Sequence, residues 1–236
     1  LSRGAALRTC LWNQESYADF REVLRREQPD VVHCHNTFGV ISPAVYYAAR
    51  AEGIPLVQTL HNYRYQCLNG LLFRNGHVCE DCLARAVPVP GVVHRCYRDS
   101  LSASLGMCMV HSVHRALRTW RRHVDAFIVP TPSARPRFVA AGLPFEKLFV
   151  KPHVVFDSGV RSVPPGDYVL FAGRLSEEKG IQTLVEAWQR LSDIPLKVAG
   201  DGPMREVVNA AQTVDAVGWV GRDDFGSLLR HARFVV

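Results

Sequence analysis

The chain has 236 residues, and 47% of them are hydrophobic, so it can bury a substantial core and a globally disordered protein is excluded. The formal net charge is +6, and the basic excess is confined to residues 1–165, which hold 20 Lys and Arg against 12 Asp and Glu. The sequence contains no window of membrane-spanning length and no nucleic-acid-binding motif, and Leu1–Cys10 has neither a basic start followed by an apolar block nor a cleavage site. We therefore expect a cytoplasmic protein without a nucleic-acid partner, whose basic part can contact the inner face of a membrane.

Helical and strand patterns alternate along the first part of the chain, which is typical of parallel sheets covered by helices. The periodicity of apolar residues predicts strands at 30–34, 55–60 and 126–129, and helices at 17–27, 42–50, 112–123 and 137–141. A junction rich in Gly and Pro then interrupts every periodicity at 156–166. We place a domain boundary there, which gives a first domain at 1–163 and a second domain at 164–236.

The second domain repeats the alternation. Its pattern predicts strands at 168–172, 196–199, 216–220 and 233–236, and helices at 181–191, 204–211 and 225–232. The chain is therefore predicted to be an α/β protein with two parallel sheets.

The segment GRLSEEKG at residues 173–180 lies between a predicted strand and a predicted helix. Free amides and the positive end of a helix dipole attract phosphate at such a position, and Gly173 allows the backbone to approach it closely. Arg174 can hold a diphosphate through two parallel hydrogen bonds, and Lys179 adds a compact positive charge. An ordinary loop with solvated charges explains the spacing equally well.

The next loop, GDGP at residues 200–203, places Gly200, Asp201 and Gly202 at the same edge of the predicted sheet. Ligands of parallel sheets bind at this edge, although a tight turn that needs two glycines also explains the motif. Neither loop has the G-x-G-x-x-G spacing, so we expect no nicotinamide or flavin cofactor.

Several segments in order resemble the motifs of retaining family 4 glycosyltransferases of GT-B fold. They are PDVVHCHN (29–36), IPLVQTLHNYR (54–64), VPTPS (129–133), GRLSEEKG (173–180), GDGP (200–203) and VGWVG (217–221). The resemblance covers nearly the whole chain from about Pro29. It implies two Rossmann-like domains that face a cleft, both incomplete here, because the family's amino-terminal glycine-rich loop and its later E-x7-E element are missing.

The resemblance implies a hexosyltransferase-like enzyme that moves a sugar from a nucleotide-diphosphate sugar to a carbohydrate or lipid-linked acceptor with retention of configuration. The expected pathway is the synthesis of a cell-surface polysaccharide or glycolipid, and this fragment alone is expected to be inactive. By the same resemblance, Arg174 and Lys179 bind the donor diphosphate, and Val220 and Gly221 line the nucleotide base. The sequence has no Asp-x-Asp, so we expect these two cations to meet the diphosphate charge without a divalent ion and catalysis to need no cofactor. A non-catalytic nucleotide- or metal-binding module and another GT-B enzyme, such as an epimerase or a phosphorylase, remain alternatives.

Histidines follow the first two predicted strands. His61 lies directly after the second strand, and the resemblance makes it the counterpart of an active-site His that contacts the donor sugar. His33 and His35 project to the same side of an extended segment. We predict that His33 is structural, whereas His35 and Asn36 line the cleft. The segment KPHVVFD at 151–157 departs from the PNGVD of the family.

Four of the seven cysteines have the spacing C-x11-C-x2-C-x13-C and are Cys67, Cys79, Cys82 and Cys96. The central C-x2-C allows two thiolates to share one metal ion, so we predict a closed, structural zinc site. The site would hold an irregular insertion at about 63–98, in which Pro88, Pro90 and Gly91 oppose regular structure. Two disulfides, four independent thiols and an iron–sulfur cluster are the alternatives.

A basic stripe is predicted on the helix at 112–123, where Arg115, Arg118 and Arg122 recur at positions i, i+3 and i+7. A solvated helix face is the favoured explanation. Contact with a lipid-linked acceptor at an anionic membrane is the alternative.

Overall fold

The computed structural model describes residues 3–39, 41–154, 166–191 and 193–236. The chain divides into two compact units, Leu1–Val154 and Val155–Val236. The predicted domain boundary between residues 163 and 164, and all of the predicted junction except Gly166, lie outside the described residues.

The first unit alternates helices and strands, interrupted by a short hairpin. In chain order its elements are α1 (Arg3–Leu11), α2 (Gln14–Glu27), β1 (Val32–Cys34), α3 (Ala44–Ala51), β2 (Leu56–Thr59), β3 (Phe73–Arg74), β4 (His77–Val78), α4 (Val89–Val93), α5 (Leu101–Ala116), α6 (Thr119–His123), β5 (Ala126–Val129), α7 (Arg135–Ala140) and β6 (Leu148–Val150).

The first sheet has the strand order β1-β2-β5-β6, and all of its pairs are parallel. Leu56 of β2, Phe127 of β5 and Leu148 of β6 are fully buried, as expected for strands covered on both faces. Because all four strands point the same way, the loops that follow β1, β2 and β6 emerge at one edge of the sheet. That edge carries the histidines.

Two local predictions for the first unit are wrong. The helix predicted at 112–123 is two helices, α5 and α6, which meet at Arg118 with a φ of 54°. The three arginines therefore do not form one stripe, and Arg115 instead donates to the side chain of Gln66 and to the carbonyl of Arg85. In the insertion, α4 forms despite its prolines, because proline is tolerated in the first turn of a helix.

The second unit has the strict alternation that its pattern predicts. Its elements are β7 (Tyr168–Ala172), α8 (Ile181–Trp188), β8 (Leu196–Ala199), α9 (Arg205–Ala210), β9 (Val214–Gly218), α10 (Arg222–Arg230) and β10 (Ala232–Val235). The sheet is parallel with the order β10-β7-β8-β9, so the direction of strand addition reverses at β7. Within the part of the chain that the structure describes, no helix has the length and apolar content needed to cross a bilayer.

Candidate functional site

An open pocket of about 460 Å³ lies at the carboxyl ends of three adjacent strands, β7, β8 and β9. Its walls come from the strand ends, the loops that follow them and helix α10, and consist of Ala172, Gly173, Arg174, Ala199, Gly200, Asp201, Trp219, Val220 and Phe225. Open α/β sheets bind their ligands outside the carboxyl ends of the strands, next to the point where strand order reverses. The pocket has this position.

Two glycines allow the loops after β7 and β8 to pack backbone against backbone. At Gly200, which has a φ of +148°, a Cβ would lie 1.8 Å from the carbonyl oxygen of Gly173. At Gly202, with a φ of +158°, it would lie 2.3 Å from the carbonyl oxygen of Leu175. Backbone amides of Gly173 and Leu175 donate to the carbonyls of Ala199 and Asp201, respectively, at 3.0 Å. The two loops therefore form one preorganised wall.

The charged residues of this wall differ in their positions. Arg174 is exposed and lines the pocket, and no carboxylate among the described residues forms an ion pair with it. Asp201 also lines the pocket, where it accepts from the amide of Gly202 and pairs with Arg205 at 3.5 Å. Lys179 is exposed at the end of a 3-10 turn and does not belong to the lining. Arg174 is thus the cation placed to meet an anion in the pocket.

An exposed aromatic residue forms another wall of the pocket. Trp219 has 79% of its surface exposed, the largest fraction among the exposed large hydrophobic residues of the described chain. Val220 and Phe225 lie beside it and are partly buried. A large apolar ring held in water beside a pocket is suited to cover the flat face of a ligand. Trp219 was not among the site residues predicted from the sequence, although the VGWVG motif placed it in the correct loop.

Four histidines gather at the carboxyl edge of the first sheet. His33 lies in β1, His35 directly after it, His61 after β2 and His153 after β6. The ring centroids of His33 and His35 are 4.4 Å apart, and Nδ1 of His35 lies 2.7 Å from Nε2 of His61. The rings of His61 and His153 are stacked, with centroids 5.5 Å apart. His153 was not among the predicted site residues, because only the pairing of β6 into the sheet brings it here.

Two of these histidines, His33 and His61, have a lowered pKa. Desolvation lowers the pKa of His61, and the neighbouring His35 and His153 lower it further. Desolvation also lowers the pKa of His33, followed by the charges of His35, Lys151 and His61. His61 is therefore a neutral imidazole at neutral pH. Such a ring can hydrogen-bond to a hydroxyl group of a ligand.

A buried hydrogen-bond network holds the backbone beneath this cluster. The hydroxyl of Tyr46 donates to Oε1 of Gln58, and Nε2 of Gln58 donates to the carbonyl oxygens of His35 and Thr59, all at 2.8 Å. Tyr46 and Gln58 are almost completely buried, so their hydrogen bonds hold the backbone at His35 in place. A small pocket of about 20 Å³ opens above the network, with His35, Asn36 and His61 among its lining residues.

The cysteine cluster, as we call it, consists of four thiols that line one pocket in the insertion: Cys67, Cys79, Cys82 and Cys96. None of the seven cysteines forms a disulfide. Burial raises the pKa of Cys82 to about 11 and also raises the pKa of Cys96. Among the described residues, no three side chains of Cys, His, Asp or Glu have an arrangement that could hold a metal ion.

Comparison with known families identifies the chain. Residues 4–153, well over half of it, match the glycosyl transferase 4-like domain. The chain belongs to the glycosyl transferase 4-like family. Residues 166–236 match glycosyl transferases group 1. A search of curated proteins found no match.

Solved structures with the same architecture support the GT-B fold of this family member. HepE of Anabaena, solved in complex with UDP, is 15% identical with a TM-score of 0.57, and the match covers 93% of this chain and 55% of HepE. A mutant of S. aureus TarM in complex with fondaparinux, alpha-GlcNAc-glycerol and UDP is 11% identical with a TM-score of 0.54, covering 93% of this chain and 39% of TarM. The chain thus spans about half the length of HepE.

The structure of this glycosyl transferase 4-like chain brings most of the predicted site residues into two groups. The first group lies at the edge of the first sheet and contains His35, Asn36 and His61. The second group lines the pocket of the second sheet and contains Gly173, Arg174, Gly200, Asp201 and Val220. Three predicted residues lie outside that lining: Lys179, Gly202 and Gly221.

Proposed function

We propose that the protein is a retaining glycosyltransferase that transfers a sugar from a nucleotide-diphosphate sugar to a carbohydrate or lipid-linked acceptor. The second unit binds the donor, and the first unit binds the acceptor and supplies His61. The observation that carries the proposal is the pocket at the ends of β7, β8 and β9, where Arg174, a glycine-tightened backbone wall and an exposed tryptophan occur together. This combination suits a ligand with a diphosphate and a flat base.

The diphosphate binds to the side of the pocket formed by Gly173 and Arg174. A guanidinium group can meet a phosphate with two parallel hydrogen bonds, and Gly173 leaves the backbone accessible. Lys179 lies on the same loop and adds positive charge without lining the pocket. The ring of Trp219 covers the base, while Val220 contributes apolar contact from the same segment. HepE was also solved with UDP-glucose, so UDP is the first nucleotide to test.

His61 acts on the sugar at the reaction centre. Its lowered pKa keeps the imidazole neutral, so the ring can hydrogen-bond to a sugar hydroxyl without carrying charge at neutral pH. His35 orients it through the 2.7 Å contact between their ring nitrogens. Retention of configuration follows from the resemblance to retaining family 4 enzymes, and the same resemblance supports a role in the synthesis of a cell-surface polysaccharide or glycolipid.

Calorimetry with two probes, UDP and pyrophosphate, tests the donor site of the full-length protein. Replacing Arg174 with Ala should weaken the binding of both probes by about 1.5–3 kcal/mol, the usual contribution of a hydrogen bond to a charged group. Replacing Trp219 with Ala should weaken UDP by about 1–3 kcal/mol and leave pyrophosphate unchanged, because only UDP has a base that can stack. Arg190→Ala is the matched control, since Arg190 is exposed in the same unit but does not line the pocket.

The same measurements can contradict the proposal. If the Arg174 variant binds UDP as tightly as the unchanged protein does, the pocket does not hold the diphosphate. If UDP binds but no sugar reaches any acceptor, the protein is a binding module. Conversion of one UDP-sugar into an epimer without an acceptor would instead identify an epimerase.

A further inference from the structure

We propose that the cysteine cluster binds one zinc ion in a closed, structural site that stabilises the chain following His61. The inference is independent of the donor and of the transfer reaction. Four thiolates complete the tetrahedral coordination of zinc, so no position is left open for catalysis. The pocket that the cysteines line has a volume of about 10 Å³, on the order of one water-sized sphere, which suits a single small occupant.

The local chain path brings the cysteines together from three directions. The hairpin of β3 and β4 ends directly before Cys79, whose amide donates to the carbonyl of Leu72 at 2.8 Å. Cys82 follows on the next turn, and Cys67 precedes the hairpin. Cys96 arrives after α4, where its amide donates to the carbonyl of Gly91 at 2.9 Å. No group of three ligands has metal-binding geometry as it stands, so the thiols must turn toward a common centre when zinc binds.

A partly buried cation, Arg74, lines the same pocket. Its Nη2 atom pairs with Asp81 at 3.1 Å. Its Nε atom is buried and has no hydrogen-bond partner among the described residues. Zinc bound by four thiolates carries a net negative charge, and such sites are stabilised by donors that point at the sulfur atoms. Arg74 would supply both the charge and the donor.

The backbone of the insertion needs a cross-link to persist. Five residues other than Gly have a positive φ within it, out of nine in the described chain, and they are Leu72, Asn75, Ala84, Arg95 and Arg98. Such a conformation costs on the order of 1–2 kcal/mol for most residue types. Regular structure between residues 63 and 98 is limited to two strands of two residues and one helix of five. A metal that ties three parts of the segment together would offset the strain.

The cluster connects directly to the candidate catalytic edge. The amide of Cys67 donates to the carbonyl of Tyr63 at 2.8 Å, and the amide of Tyr63 donates to the carbonyl of Gly70 at the same distance. Tyr63 is two residues after His61. On its other side, the insertion packs through fully buried Leu68 against Met107 of α5. Zinc therefore fixes the loop that begins at His61.

Metal analysis of the chain, purified with reductant and without chelators, tests the proposal. We expect close to one zinc per chain, released when a mercurial reagent titrates the thiols. Replacement by Co²⁺ should give the thiolate-to-cobalt charge-transfer bands and the strong visible bands of a tetrahedral site. Cys79→Ser should lower the zinc content severalfold, whereas the control Cys10→Ser, at a cysteine that does not line the pocket, should keep it.

The measurements on the wild-type chain test the site even if Cys79→Ser fails to fold. Absence of metal together with four thiols that react freely under native conditions would overturn the site. So would iron with acid-labile sulfide, which identifies an iron–sulfur cluster. In a second sample purified without reductant, thiols that appear only after reduction would identify disulfides and overturn the site as well.

Discussion

The Nδ1 atom of His35 lies 2.7 Å from the Nε2 atom of His61. One nitrogen must donate and the other must accept, so the contact contains a single proton and protonation of both nitrogens breaks it. The ring of His153 also stacks with the ring of His61, with centroids 5.5 Å apart. The arrangement holds a neutral imidazole in one orientation at the edge of the sheet.

Replacing His61 with Ala should reduce sugar transfer by the full-length protein by about a hundredfold or more, the range for a lost hydrogen-bonding or proton-transfer group. UDP affinity should barely change, because the interaction that is removed stabilises mainly the transition state. Initial rates and calorimetry give the two readouts. His231→Ala, at an exposed histidine of the second unit, is the control. Wild-type transfer by the His61 variant would make His61 a structural residue.

The acid limb of the pH–rate profile should depend on the residues that lower the pKa of His61. If transfer requires neutral His61, the rate falls as the pH drops through its pKa, which lies below the usual 6.5. His153 contributes to that lowering. His153→Gln should therefore move the acid limb of kcat/KM to higher pH, measured between about pH 5 and 8. A shift to lower pH, or a profile without an acid limb, would contradict the assignment.

A buried histidine should make the first unit sensitive to acid. Burial, followed by the charges of Arg115, Arg64 and His114, lowers the pKa of His111 to about 3. Its Nε2 atom has no partner among the described residues. In the unfolded chain His111 binds a proton near pH 6.5, whereas in the folded chain it does so only near pH 3. The free energy of unfolding is therefore unaffected by His111 above pH 6.5 and decreases as the pH falls from 6.5 toward 3. The loss reaches about 2 kcal/mol at pH 5.

His111→Leu should remove that part of the pH dependence. We expect the difference in unfolding free energy between pH 7 and pH 5 to shrink by about 2 kcal/mol, whatever the stability of the variant at pH 7. Denaturant titrations at both pH values, with hydrogen exchange in β5 to report the first unit, provide the measurement. His231→Gln is the control. An unchanged difference would mean that His111 is protonated in the folded chain.

The α/β architecture and the loops of the donor pocket could be predicted from the sequence. Apolar periodicity located the strands of the second unit within a few residues, because each is a short buried run between helices. The break at Arg118 was not visible, since its φ of 54° belongs to a residue type that does not usually adopt this conformation. His153 could not be assigned either, because its position depends on β6 pairing with β5, which is distant in sequence.

The Gly200 loop offers the sharpest test of the donor wall. A Cβ at Gly200 would overlap the carbonyl oxygen of Gly173, and its φ of +148° is strained for any other residue. Gly200→Ala should therefore destabilise the second unit by about 2–4 kcal/mol and weaken UDP binding. Gly180→Ala is the matched control, because Gly180 has a φ of +72° but a Cβ there would meet nothing within 4 Å, so only about 1 kcal/mol is lost. Hydrogen exchange in β7 and β8 measures both, and equal protection in the two variants would show that the loops are not packed as described.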